Sequence, residues 1–138
     1  MHNPSPLTPY PATVTKIVDE TGDVKTFTVE FDDPEVMENF GNKPGQVAQL
    51  SVFGEGEATI SITSAPTRGK FLEFSVRRVG RLTNVLHQIE VGQKIGVRGP
   101  YGNWFPYDKM KGKDLFFIGG GIALAPIRSL IDFALSDQ

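Results

Sequence analysis

The sequence predicts a mainly β protein, in which a six-stranded antiparallel barrel with one short helix precedes the first strand and helix of an α/β unit. Three observations support this prediction. Short runs of alternating apolar and polar residues are separated by glycine and proline turns, as in small barrels. Helical spacing is scarce before residue 110. After Lys111, a continuous apolar run leads through three glycines into a helical pattern.

The composition is that of one ordinary globular domain. With 138 residues, of which 39% are hydrophobic and 22% charged, the chain can bury one substantial core. Its formal net charge of −2 gives no basis for expecting nucleic acid or an anionic membrane as a partner. It has no cysteine, and its two histidines, His2 and His87, are far apart in sequence. We therefore expect no disulfide, no iron–sulfur ligation and no dedicated metal site in these residues.

Two stretches bear on where the protein is found. Residues 1–11 are rich in proline and lack the apolar core of a signal peptide, so we expect a flexible leader there. The run from Leu115 to Leu135 has the length of a membrane span, but three consecutive glycines, a proline and two charged residues interrupt it. We therefore expect no membrane span and a cytoplasmic protein.

The first two strands are predicted to form a hairpin. A β-branched run at 12–19 and a cleanly alternating run at 24–31 flank the turn Glu-Thr-Gly-Asp at 20–23. One helical turn should follow from Pro34 to Phe40, because Asp33 is a good cap and proline suits the first helical position.

Four further strands complete the predicted barrel, each bounded by glycine or proline. They lie at Gln46–Val52, Ala58–Ser64, Phe71–Arg78 and Lys94–Arg98, with a short helix at 82–90 before the last strand. In each strand the apolar residues alternate with polar ones, which indicates one buried and one exposed face.

The link into the helix at 82–90 has features of a phosphate site. Thr83 stands where the helix begins, with a hydroxyl able to cap free backbone N–H groups. Gly80 and three arginines between residues 77 and 81 lie beside it, and a helix start of this kind attracts anions. An ordinary surface turn explains the same residues equally well.

The last part of the chain follows the pattern of a nucleotide-binding α/β domain. A buried strand is predicted from Asp114 to Ile118 and a helix from Ala123 to Leu135, joined by Gly119, Gly120 and Gly121. Any βα unit with a tight turn would share this pattern. One such unit cannot form a parallel sheet, because its strand has no neighbours. We therefore expect a domain at 12–110 and the beginning of a second at 111–138, which continues in a longer protein.

Four motifs carry a resemblance to a known family. In chain order they are KPGQVAQLSV at 43–52, ATISITSAP at 58–66, VRRVGRLTNVLHQIEVGQKIGVRGPYGN at 76–103 and KDLFFIGGGIALAPIRSLI at 113–131. Together they resemble the ferredoxin–NADP reductase superfamily, and most of all its branch of sulfhydrogenase gamma subunits, anaerobic sulfite reductase B subunits and dihydroorotate dehydrogenase electron-transfer subunits. The resemblance implies a flavin-binding Greek-key barrel followed by a truncated Rossmann-like domain.

The resemblance also implies a cofactor site in three parts. The flavin ring would lie against Ile60, Ser61 and Ile62. The flavin phosphates would be held by Val76, Arg77, Val79, Gly80, Leu82 and Thr83. In the complete protein, Gly119, Gly120 and Gly121 would hold the pyrophosphate of NAD(P).

One position departs from the family pattern. The superfamily's Arg-x-Tyr-Ser motif is matched here by Ala58-Thr59-Ile60-Ser61, so the arginine that contacts a phosphate is missing. Isoleucine in place of tyrosine keeps an apolar surface for the flavin. The candidate substitutes for the missing charge are Arg68, Arg77, Arg78 and Arg81.

The resemblance implies a flavin-dependent electron-transfer subunit of a multi-subunit oxidoreductase. Electrons would pass between NAD(P)H, FAD and an iron–sulfur partner, so the cofactors and not the side chains carry the redox chemistry. A 2Fe–2S cluster and hydrogenase-type partner subunits would lie outside these residues, and the 138-residue chain alone is expected to be inactive. The exposed apolar helix at 124–135 predicts self-association.

Several alternatives stay open from the sequence. The chain also fits a dihydroorotate dehydrogenase electron-transfer subunit, although an arginine usual in that group is absent at Ala58. A barrel that binds no flavin and has a structural or interaction role is the third alternative. The sequence also leaves open the choices between FAD and FMN and between NAD and NADP.

Overall fold

The computed structural model describes residues 5–137, which form six strands and four helices. In chain order they are β1 (Tyr10–Asp19), β2 (Val24–Phe31), α1 (Pro34–Phe40), β3 (Val47–Val52), β4 (Gly56–Ser61), β5 (Leu72–Arg77), α2 (Arg81–Leu86), β6 (Lys94–Tyr101), α3 (Tyr107–Met110) and α4 (Leu124–Ser136). The four-residue helix α3 is the one element that the sequence did not predict.

The six strands form a single antiparallel sheet in the order β4-β3-β6-β1-β2-β5. A backbone bridge between Ile62 and Phe74 joins the end of β4 to β5, so the two edges of the sheet meet. Strand β6 lies between β1 and β3, which takes the order beyond a simple meander, as a Greek key requires. The predicted six-stranded antiparallel architecture is confirmed.

The barrel interior is filled by alternate residues of each strand. Leu72, Phe74 and Val76 of β5 are almost completely buried, as are Phe27 and Val29 of the neighbouring β2. This is the face assignment that the alternation predicts, because successive strand residues point to opposite sides of a sheet. Helices α1 and α2 pack against this core, to which their buried residues Phe40 and Leu86 belong.

Strand β1 begins two residues earlier than the sequence suggested. Tyr10 pairs with Val97 and Pro11 with Gly96 on β6, so both belong to the sheet and not to a flexible leader. The physical reason is the partner strand β6, which pairs with these residues although their own sequence has no strand pattern. The rest of the expected leader includes residues 1–4, which lie outside the described residues.

The predicted strand from Asp114 to Ile118 is wrong. This segment belongs to no strand, and Phe116 and Ile118 are 89% and 83% exposed. A strand needs a neighbour for its backbone N–H and C=O groups, and no strand of the described chain lies beside this one. The helix that follows, α4, forms where it was predicted because helical hydrogen bonds are local.

Polar contacts attach α4 to the outside of the barrel. An Arg128 Nη2 atom lies 2.7 Å from Glu73 Oε2 on β5, and Arg68 Nη1 lies 3.3 Å from Asp132 Oδ2. Leu130 and Ser129 of α4 are buried. The helix predicted as an exposed apolar element is therefore half-covered by the barrel. No helix within residues 5–137 combines the length and the apolar character that crossing a membrane requires.

Candidate functional site

Strand β4 places the residues predicted to meet a flavin ring. Ile60 pairs with Ala48, which is fully buried, so Ile60 shares the inward face of the sheet and is itself half-buried against the core. Ser61 is half-buried at the end of the strand. Ile62 is 1% exposed and belongs to the core, so its side chain offers a ligand no surface. Of the predicted ring contacts, Ile60 and Ser61 have accessible side chains.

The start of α2 is held by the hydroxyl of Thr83. Its Oγ1 accepts hydrogen bonds from the backbone N–H groups of Val79 and Gly80, at 2.8 and 2.9 Å, and donates to the Gly80 carbonyl at 3.0 Å. The predicted capping role is therefore present. The hydroxyl proton is directed to the Gly80 carbonyl, so Thr83 fixes the shape of the Val79–Gly80 link. The part of Thr83 in holding the flavin phosphates stays a prediction.

Helix α2 brings this link next to β4. It packs against β3, β4 and β5, and its Leu82 lies half-buried on the same core as Ile60. Arg81 Nη2 lies 3.2 Å from Glu55 Oε2 in the β3–β4 turn, which ties the helix start to that turn. The structure therefore gathers the predicted ring contacts and the predicted α2 link at one end of the barrel.

A second predicted group lies elsewhere, around Arg77. The strand alternates here, so Val76 points into the core and Arg77 points outward. A cavity of about 360 Å³ opens on this outer face, between the β1–β2 turn, the end of β5 and the start of α4. Its lining includes Thr21, Asp23, Ser75, Arg77, Gly121 and Leu124. One residue of the predicted flavin group and one of the predicted NAD(P) group thus share a cavity.

Asp23 organises the charges of this cavity. Its Oδ2 lies 3.1 Å from Arg77 Nε, and its Oδ1 accepts a hydrogen bond from Thr21 Oγ1 at 2.8 Å. The Thr21 hydroxyl, and after it the Arg77 guanidinium, lower the pKa of the Asp23 carboxyl below its ordinary value. The carboxylate is therefore ionised at neutral pH and forms a charged pair with Arg77.

The three other candidate arginines differ in their partners. Arg68 is paired with Asp132 of α4, and Arg81 with Glu55. Arg78 is exposed, and in the part of the chain that the structure describes its side chain has no ion-pair partner. Neither Arg78 nor Arg81 lines the cavity, so Arg77 is the candidate arginine that faces this half-open space.

The three glycines at 119–121 form the turn before α4. Gly121 has a φ of +61°, a left-handed conformation that glycine adopts without strain, and it is the member of the turn that lines the cavity. Strand alternation predicts the outward position of Ser75 beside Arg77, since the two are separated by one residue, and the burial pattern of β5 confirms it. No local sequence pattern indicates the part of Asp23, which reaches Arg77 from the β1–β2 turn.

His87 has a structural position that the sequence did not indicate. Its Nε2 lies 2.8 Å from the Val76 carbonyl oxygen, and its ring packs edge-on against Phe27 with centroids 6.2 Å apart. It fastens the end of α2 to β5. Among residues 5–137 no group of three or more histidine, aspartate or glutamate side chains is arranged to hold a metal ion.

A family model matches most of this barrel. The family is described as "Oxidoreductase FAD-binding domain", and the match covers residues 11–106, from β1 to the residue before α3. The matched region therefore contains every strand of the sheet and the β4 and α2 residues described above.

Similar sequences include subunits of larger oxidoreductases. The chain is 41% identical to the sulfhydrogenase 1 subunit gamma of Pyrococcus furiosus, over the whole chain and 47% of that protein. It is 34% identical to a probable dihydroorotate dehydrogenase B (NAD(+)), electron transfer subunit, of Methanocella arvoryzae, over 90% of the chain and 43% of that protein. The chain thus spans about half the length of the curated relatives it matches.

Similar solved structures are reductases. The cytochrome P450 reductase GcoB of Amycolatopsis superposes with a TM-score of 0.77 and 28% identity, over 92% of this chain and 39% of that one. The ferredoxin-NADP+ reductase of Plasmodium falciparum, in an H286L mutant, gives the same TM-score at 14% identity, over 93% of this chain and 53% of that one. The second likeness concerns the fold alone.

Proposed function

Because the chain belongs to the oxidoreductase FAD-binding domain family, we propose that it binds FAD and is the flavin-carrying part of an electron-transfer subunit in a larger oxidoreductase. The observation that carries this proposal is the meeting of β4 and the α2 link at one end of the barrel. An apolar strand surface beside a glycine-containing link is suited to a flat ring joined to phosphates.

The residues present fit such a cofactor. Ile60 offers an apolar surface for the ring, and Ser61 offers a hydroxyl at the end of the same strand. The phosphates would be held near the Val79–Gly80 link, whose shape Thr83 fixes. They would also be held by Arg77, the last residue of β5, which lines the cavity on the outer face. When bound, FAD accepts a hydride and can pass its electrons on singly. The side chains bind, orient and shield it.

We extend the proposal to the part after the barrel. Residues 12–110 would form the FAD-binding domain, and 111–138 would begin a domain for NAD(P) in which Gly119, Gly120 and Gly121 face the pyrophosphate. In support, Gly121 adopts the left-handed conformation of a tight turn before a 13-residue helix. The printed name of one relative, an NAD(+) electron transfer subunit, also supports it. Electrons would then leave to an iron–sulfur partner subunit.

The choice between two subunit types favours the hydrogenase-like one. Identity to two sulfhydrogenase gamma subunits of Pyrococcus furiosus is 41% and 42%, against 33% to 36% for three dihydroorotate dehydrogenase electron transfer subunits. We therefore propose a role like that of a sulfhydrogenase gamma subunit. A dihydroorotate dehydrogenase electron-transfer subunit is the second candidate.

The test is a titration of the purified chain with FAD, followed by flavin fluorescence and absorbance. We expect saturable binding with one FAD per chain. Replacing Thr83 by alanine should weaken it by about five- to tenfold, because the Val79–Gly80 link loses hydrogen bonds worth roughly 1 kcal/mol. Thr59→Ala is the matched control, since Thr59 is exposed and its hydroxyl contacts only Gln49 within the described chain.

Two outcomes would count against the proposal. A folded chain that takes up no FAD would favour the barrel with a structural or interaction role. Equal effects of Thr83→Ala and Thr59→Ala would remove the α2 link from the site.

Dihydroorotate dehydrogenase and hydrogenase partners can then be compared by co-purification with the flavin-loaded protein.

A further inference from the structure

We propose that Asp23 is a positioning residue, which holds Arg77 so that its guanidinium group binds a phosphate of FAD. This inference rests on the proposed function and assigns a residue in the β1–β2 turn to it. It also identifies Arg77 as the charge that replaces the arginine absent at Ala58.

The contact between the two side chains leaves most of the guanidinium group available. Asp23 meets Arg77 from the side, at Nε, with a distance of 3.1 Å. An arginine has five N–H donors, and four of them are on the two Nη atoms. Within residues 5–137 those four make no hydrogen bond. A side-on pair therefore leaves the planar end of the guanidinium group free, and this end can bind two phosphate oxygens in a forked arrangement.

Asp23 is itself held at more than one point. Thr21 Oγ1 donates to one carboxylate oxygen at 2.8 Å, while Arg77 Nε lies 3.1 Å from the other. The Asp23 backbone carbonyl accepts a hydrogen bond of 2.7 Å from the Arg78 N–H, so the turn is fastened to the end of β5. A carboxylate fixed in this way limits the rotamers of a long side chain, and a fixed arginine loses less entropy on binding.

Arg77 is held beside a half-open cavity, and 44% of its side chain is exposed. The cavity of about 360 Å³ is lined by both members of the pair, by Ser75 and by Gly121. Ser75 Oγ lies 2.8 Å from Thr26 Oγ1, so its position on the outer face is also fixed. A phosphate in this cavity would meet the free Nη donors of Arg77, and it would also face the carboxylates of Glu20 and Asp23 on the same lining. Its binding therefore depends on a guanidinium group whose Nη atoms are directed away from those carboxylates.

The neighbouring arginines lack these properties. Arg78 has neither a carboxylate that holds it nor a place in the cavity lining. Arg81 is directed to Glu55 with 79% of its side chain exposed. Arg78 is therefore the natural control for Arg77, because the two are adjacent, have the same charge and differ in what surrounds them.

Asp23 could act in the opposite sense, since its carboxylate competes with a phosphate for the same cation. The two senses predict opposite signs. If Asp23 positions Arg77, removing the carboxylate weakens FAD binding, and asparagine at 23 restores part of it by accepting from Nε. If Asp23 competes, removing it tightens FAD binding.

The experiment compares the binding of FAD with that of riboflavin, which has the flavin ring but no phosphate. Titrations of the full chain would use Arg77→Ala, Asp23→Ala and Asp23→Asn, with Arg78→Ala and Asp19→Ala as controls. We expect Arg77→Ala to weaken FAD binding by about tenfold or more and riboflavin binding by less than about twofold. Asp23→Ala should weaken FAD binding by about three- to tenfold, with Asp23→Asn nearer to the unaltered chain.

Several results would overturn the inference. These are tighter FAD binding by Asp23→Ala, equal effects of Arg77→Ala and Arg78→Ala, or equal losses for FAD and riboflavin, which would indicate a structural role. A change in the NADH affinity of the flavin-loaded chain without a change for FAD would assign Arg77 to the nicotinamide nucleotide instead. If the unaltered chain binds neither flavin, the proposed function itself fails, which is a different result from all of these.

Discussion

The barrel and the segment at 114–118 contain similar apolar side chains, which are buried in the barrel and largely exposed in the segment. In the barrel, Phe74 is fully buried and its backbone is paired on β5. In the segment, Phe116 is 89% exposed and its backbone has no strand beside it. The comparison shows that burial of a strand residue depends on a partner strand, because only a paired backbone can enter an apolar core without losing hydrogen bonds.

The helix that follows the segment sharpens this contrast. Helix α4 completes its own backbone hydrogen bonds and is anchored to the barrel by side chains such as Arg128. A cavity of about 590 Å³ separates parts of the segment, α3 and α4, with Leu115, Phe117 and Ile131 on its walls. Local structure thus forms here without the close packing of the barrel.

The largest expected difference between the two regions comes from a pair of phenylalanines. Phe74→Ala should lower the free energy of unfolding by about 3–5 kcal/mol, because it removes a fully buried ring and leaves a cavity. Phe116→Ala should change it by less than about 0.5 kcal/mol, since the ring is already in water. Urea denaturation followed by circular dichroism measures both.

Phe74→Leu is a milder variant that keeps the test valid if Phe74→Ala does not fold. It should lower the free energy of unfolding by about 1 kcal/mol. Comparable losses for Phe74→Leu and Phe116→Ala would contradict the contrast, because they would mean that Phe116 is buried in solution. A substitution at the same position tests self-association. If the 114–118 segment joins copies of the chain, Phe116→Ser should lower the mass measured by light scattering.

A pair of glycines gives the next effect. Gly45 has a φ of +101°, and a Cβ built on it would lie 2.9 Å from Phe105 Cδ2. Gly112 also has a positive φ, +75°, but a Cβ there would have no heavy atom within 4 Å. We expect Gly45→Ala to cost about 2–3 kcal/mol, from strain and overpacking together, and Gly112→Ala about 1 kcal/mol from strain alone.

Thermal or urea unfolding of the two variants tests this, with Gly22→Ala as a control at a turn glycine that has neither a positive φ nor a close neighbour. A smaller loss at Gly45 than at Gly112 would show that the Lys43–Gln46 turn does not hold Phe105 as closely as the structure indicates.

The same dependence on partners explains which features the sequence could predict. Strands β2 and β5 were predictable because each has one buried face, which leaves an alternating pattern in the residues themselves. The Thr83 cap was predictable because its partners are three and four residues away. The use of its proton by the Gly80 carbonyl depends on atomic geometry and left no trace in the sequence.

The cavity around Arg77 was not predictable for a related reason. Asp23 and Arg77 meet because β2 pairs with β5 in a register that places Val24 opposite Arg77. Gly121 joins them only because α4 is attached to the outer face of β5, where Arg128 reaches Glu73. Both relations are set by sheet register and by the docking of a helix, and local patterns of apolar and polar residues carry neither.

The smallest expected effect is on the stability of the folded state at low pH. The pKa of Asp32 in the barrel is lowered first by its hydrogen bond with Lys94 and then by the Thr13 hydroxyl at 2.7 Å. A carboxyl with a lowered pKa in the folded state stabilises it fully above the ordinary value of about 3.9. That stabilisation is lost as the pH falls through the lower, folded-state pKa. Asp32→Asn should therefore cost about 0.5–1 kcal/mol at pH 7 and flatten the acid limb of the stability curve.

Asp137 is the counterpart in the C-terminal part of the chain. Its pKa is lowered by Lys111, whose Nζ lies 2.9 Å away, and then by the Tyr107 hydroxyl. The sign of its pH dependence is the same, but the groups it joins are α3 and the end of α4, which lie outside the paired sheet. We expect Asp137→Asn to speed amide hydrogen exchange in α4 and to leave the unfolding of the sheet unchanged. A loss of stability equal to that of Asp32→Asn would mean that the two regions unfold as one cooperative unit.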